Sequence, residues 1–103
     1  MDKNTVIEKV KQYAREVARE YPVRMVVLFG SYVTGHPRDD SDIDVAVVVN
    51  EISGDYLTQS ARLCTLRNAI DPLIEPHLLP FQLDDSGFLG EVLRTGQVIY
   101  QAA

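Results

Sequence analysis

The stretch FGSYVTGHPRDDSDIDVAVVV, Phe29 to Val49, decides how the rest of the chain is read. It begins at the end of an apolar run, RMVVLF over 24–29, which stops at Gly30-Ser31. A polar loop follows. The chain then enters a second apolar run, IDVAVVV over 43–49, by way of Asp42 and Asp44. Bulky, β-branched runs bounded by turn residues predict two strands. The second is apolar at successive positions, as in a central strand covered on both faces.

Side chains two apart on a strand share a face, so Asp42 and Asp44 project together while Ile43 enters the opposite layer. Two carboxylates that close repel unless a cation or a proton lies between them. A few hard oxygen ligands suit Mg²⁺, which completes its shell with waters and nucleotide phosphates. Gly30 lets the backbone approach a phosphate, and Ser31 offers a hydroxyl or an N–H to it. Ten residues separate Ser31 from Asp42, enough for one helical turn and a loop back to a neighbouring strand. The turn and the acid pair are therefore expected at adjacent strand ends.

Outward from this stretch, residues 4–20 carry Val6, Val10, Tyr13, Val17 and Ala18 at helical spacing, with Asn4 or Thr5 as cap and Glu8 close behind. Tyr21-Pro22 ends that helix. Ser53-Gly54-Asp55 marks a turn and a helix start, and residues 56–70 present Leu57, Ala61, Cys64, Leu66 and Ile70 as an apolar stripe. Pro72 blocks continuation. LIEPHLL over 73–79 predicts a third strand, which Pro76 pushes to a sheet edge. Asp84-Asp85-Ser86 supplies caps for a short helix over about 87–95, ended by Gly96, and QVIY closes the chain as an edge strand. The expected fold is α/β (α+β): a mixed sheet of about four strands with helices packed against it, in one domain over 1–103.

Composition narrows the function classes. At 103 residues the chain has room for one modest core. Hydrophobic residues at 46% and charged ones at 24% are an ordinary globular balance. A net charge of −5 and no basic stripe oppose direct binding of nucleic acid. One cysteine, Cys64, rules out an internal disulfide and suits a reducing cytoplasm. No run approaches the ~20 apolar residues of a membrane span, and MDKNTVIEKV has no apolar signal core.

Gly30-Ser31, ten residues, then Asp42-Ile43-Asp44, framed by VVLFGS and SDIDVAVVV, resembles the signature of the DNA polymerase beta-like nucleotidyltransferase superfamily. The short length is similar to its minimal members, the MNT proteins. The resemblance implies that Gly30 and Ser31 hold a nucleoside triphosphate, that Asp42 and Asp44 bind Mg²⁺ (Mn²⁺ being the alternative), and that a third acid on a later strand assists the incoming hydroxyl. Glu75, inside the third strand, is favoured for that role and as a further metal ligand, and Asp71 is the other candidate. It also implies transfer of AMP from ATP to a hydroxyl on a partner protein, the partner being a HEPN-domain toxin and this chain the cytoplasmic antitoxin, in a complex or an oligomer. One departure stands out: relatives carry an arginine after Gly-Ser, whereas Tyr32-Val33-Thr34-Gly35 has no cation. A non-catalytic nucleotide-binding or scaffold module that neutralises its partner by complex formation is the alternative.

Other residues are assigned ordinary roles. His36 is read as a solvated loop residue and Cys64 as a small buried hydrophobe. Glu75 and His77 share a strand face, but two neighbouring ligands alone do not make a zinc site. Tyr32, beside Gly-Ser, is the one aromatic placed to touch a base or ribose.

Overall fold

The computed structural model describes residues 1–52, 54–81 and 87–102. Along the chain lie α1 (Lys3–Glu20), β1 (Val23–Phe29), α2 (Ser31–Thr34), β2 (Ile43–Val49), α3 (Tyr56–Arg67), β3 (Ile74–Pro80), α4 (Phe88–Thr95) and β4 (Gln97–Gln101). The four strands form one mixed sheet in the order β3-β2-β1-β4. β1 runs antiparallel to both β2 and β4, and β3 lies parallel to β2, reached through the α3 crossover. The expected mixed four-strand sheet with packed helices is the observed architecture, and both proposed edge strands are edges. Pro76 lies on one of them, where a missing backbone donor costs least.

Alternation along the strands builds two cores. Val26, Leu28, Ile43, Val45, Val47, Ile74 and Leu78 face α1 and α3 and pack with Val6, Val10, Tyr13, Val17 and Leu63. Met25, Val27, Ala46 and Val48 face the other way and pack under Leu89 and Val92 of α4. β2 is thus covered on both faces, as its unbroken apolar run predicts. Even-numbered residues of β2 face α4, so Asp44 falls on that side.

Two local expectations are corrected. The cap of α1 is Asp2, whose carboxylate accepts from Thr5 N at 2.8 Å, so the helix starts ahead of Asn4 and Thr5. In α3 the apolar stripe holds only in part, with Leu66 and Ile70 packed against the core. Leu57 and Leu66 stand nine residues apart, two and a half helical turns, and so point in opposite directions. The structure buries the Leu63 side, where the Tyr13 hydroxyl donates to Leu63 O at 2.8 Å, and leaves Leu57 73% exposed. The helix also ends at Arg67 rather than 70. The caps proposed at Asp84-Asp85-Ser86 lie outside the described residues, as does Ser53. At the end of α4, Gly96 brings the backbone tight against β1: a Cβ there would sit 2.6 Å from Val92 O and 2.7 Å from Val27 Cγ1.

Candidate active site

The sheet brings Gly30, Asp44 and Glu75 to one place. In register across three strands lie Phe29 of β1, Asp44 of β2 and Glu75 of β3. Gly30 follows Phe29 with φ 81° and ψ −149°, a combination essentially confined to glycine. A Cβ at Gly30 would collide with the Asp44 carboxylate, so glycine there is what admits the acid beside the turn. Ser31 opens the single turn of α2, whose carbonyl anchor is Gly30 O, accepting from Val33 N and Thr34 N at 3.0 Å each. Asp42 stands exposed one residue ahead of β2. Asp44 is half-buried and Glu75 exposed.

The electrostatics match the packing. Burial holds the Asp44 carboxyl above the ordinary aspartate range; His77 opposes that shift and the Asp42 charge adds to it. The Glu75 carboxyl is also raised, first by hydrogen bonding with Asp42, then by desolvation and the Asp44 charge. Mutually repelling acids that cling to protons are what a divalent cation relieves. Ligand atoms of Asp44, Glu75 and His77 all lie within 4.8 Å of one another. His77 Nε2 is buried without a hydrogen-bond partner, and its 3.5 Å approach to Asp44 Oδ1 is too long for one. Two carboxylates and an imidazole nitrogen left unsatisfied fit a divalent ion well.

The two candidates for the third acid separate clearly. Asp71 is 7% exposed and lies outside the cluster; it pairs with Lys9 Nζ at 2.7 Å and accepts from Leu73 N at 2.8 Å. Burial pushes its carboxyl up, but Lys9 and the Leu73 N–H outweigh this and hold it below the usual range. Both of its oxygens are occupied in tying α1 to the turn before β3. Only Glu75 lies beside Asp44.

Tyr32 does not face the site. It is 5% exposed within the α1-side core, its hydroxyl 3.3 Å from Arg38 O, so its ring is a packing residue and not a platform for a base. His36 is exposed. Sequence reasoning set His77 aside for want of a third ligand, and that ligand comes from β2 through the parallel register. It also missed the aromatic wall beside it: Phe29 lies edge-on to His77 at 5.2 Å and to Phe88 at 5.6 Å between ring centroids.

A mixed sheet with a glycine turn, an Asp-x-Asp pair and Glu75 at one end matches what the nucleotidyltransferase resemblance implies. Residues 8–103 match the family model "Polymerase beta, Nucleotidyltransferase", and the chain belongs to that family. It is 26% identical over 95 residues, 88% of this chain and 94% of the other, to MJ0604 of Methanocaldococcus jannaschii, provisionally named a protein adenylyltransferase. Among solved structures, it superposes on a provisionally named nucleotidyltransferase from Sulfolobus solfataricus with a TM-score of 0.70 at 21% identity, covering 96% of this chain and 83% of that one. It also superposes on a toxin-antitoxin solved with AMP-PNP, with a TM-score of 0.56 at 18% identity, covering 99% of this chain and 75% of that one. Among the described residues, no helix is long and apolar enough to cross a membrane.

Proposed function

We propose that the chain, as one nucleotidyltransferase domain, transfers AMP from ATP to a hydroxyl on a partner protein, the antitoxin's act on a HEPN-domain toxin. The observation that carries this reading is the register of Asp44 with Glu75 beside the Gly30 turn, with Asp42 exposed at the mouth of β2. Support for the substrate and partner classes comes from MJ0604, named for protein adenylylation, and from the toxin-antitoxin that holds an ATP analogue. Gly30 and Ser31 receive the triphosphate. Asp42, Asp44 and Glu75 would hold the divalent cation, Mg²⁺ or Mn²⁺. Bound there, the cation would offset the charge that develops on the phosphate oxygens during transfer.

Glu75 has a second task. Its carboxylate, in register with Asp44 at the strand end, would take the acceptor hydroxyl's proton. As that proton leaves, the acceptor oxygen bonds to the α-phosphorus, the bond to the β-phosphate bridge breaks, and pyrophosphate departs. The acceptor surface is assigned to the partner, a class supported by the name of MJ0604, given for protein adenylylation.

The test uses ATP labelled at the α-phosphate, Mg²⁺ or Mn²⁺, and the toxin with which the chain co-purifies. Label is expected on the toxin and lost with the double substitution Asp42→Asn and Asp44→Asn. Label that persists in the double variant refutes the assignment. The stretch Tyr32–Gly35, with no cation to meet the triphosphate, favours one other reading, a scaffold that silences its partner by occlusion. A chain that binds no ATP at millimolar concentration yet holds its toxin establishes that alternative.

A further inference from the structure

We infer that His77 Nε2 is itself a ligand of the cation held by Asp44 and Glu75, and that it biases the site towards Mn²⁺ over Mg²⁺. The inference rests on the cation-dependent reading above and adds to it the identity of the ion. Three observations converge on His77. Parity on β3 places it on the same face as Glu75, two residues on. Parallel pairing with β2 brings its Nε2 to 3.5 Å from Asp44 Oδ1. Neighbouring ligands on a six-coordinate ion stand about 3 Å apart, so small side-chain rotations would complete the set. The same nitrogen is buried with no hydrogen-bond partner, a state that costs free energy unless something electrophilic meets it.

The aromatic neighbours leave the ring little freedom to turn away. Phe29 packs edge-on at 5.2 Å and Phe88 lies tilted at 6.1 Å. A solvated histidine would have neither constraint. Mg²⁺ prefers an all-oxygen shell, whereas first-row transition ions accept imidazole readily. A mixed shell of two carboxylates and one imidazole therefore discriminates between ions that an all-carboxylate site would treat more alike.

Calorimetric titration of the full chain with Mn²⁺ and with Mg²⁺, and pulsed EPR of the Mn²⁺ complex, test this. Wild type is expected to bind Mn²⁺ at least tenfold tighter than Mg²⁺ and to display ¹⁴N modulation from a directly bound imidazole. His77→Ala should weaken Mn²⁺ about tenfold, leave Mg²⁺ within about twofold and abolish the nitrogen signal. His77→Gln, which keeps the bulk beside Phe29, should also lose that signal, and thermal melts of both variants verify folding. Equal affinities for the two ions, or wild-type Mn²⁺ without ¹⁴N coupling, overturn the inference and leave the transferase reading standing. If wild type binds neither ion, both fall.

Discussion

Two acids four residues apart, Asp71 and Glu75, are assigned opposite work, and a paired substitution separates them. Asp71→Asn removes the negative partner of Lys9, a contact of 2.7 Å to a buried carboxylate, while the amide oxygen can still accept from Leu73 N. The loss is one charge-assisted bond, about 1.5–3 kcal/mol. A domain of this size shifts in Tm by about 4–8 °C per kcal/mol, so a fall on the order of 10 °C is expected. Glu75→Gln removes a carboxylate that Asp42 and Asp44 already disfavour, so the melting temperature without added metal should hold steady or rise. Transfer should respond in the reverse sense: a loss of about 100-fold or more for Glu75→Gln, and near wild-type rates for Asp71→Asn below its own melting range. Differential scanning fluorimetry and single-turnover labelling read the two quantities. If Asp71→Asn abolished transfer without lowering the melting temperature, the division of roles would be wrong.

Substituting Gly30 by Ala forces a side chain into glycine-only backbone space and against the Asp44 carboxylate. Backbone strain alone is worth about 1–3 kcal/mol, and cation affinity measured by calorimetry should fall along with the melting temperature. Asp71 also sets a pH dependence. Its carboxyl titrates below the unfolded value of about 3.9. In that window the native state binds fewer protons than the unfolded chain, so stability falls as the pH falls. The difference in melting temperature between wild type and Asp71→Asn should thus stay constant from about pH 5 to 8 and shrink in more acidic buffer. A difference that grows there would contradict the sign.

Local pattern alone determined the strands that frame the site, because burial on both faces leaves an unbroken apolar run: β2 was legible as 43–49 and is observed as Ile43–Val49. The helix stop at Tyr21 and the Gly96 terminator were equally local, and so was the acid pair at the mouth of β2. Everything that depended on long-range pairing needed the folded chain. The contrast between Asp71, paired with Lys9 62 positions away along the chain, and Glu75, in register with Asp44, was not legible in the sequence. The buried face of α3 turned on which side met Tyr13, where the sequence offered apolar residues on two opposite faces. His77 had one neighbouring ligand in sequence and gained the second only when β3 lay parallel to β2. Period and turn chemistry act over a few residues, whereas register and charge pairing are properties of strands and helices brought together by the core.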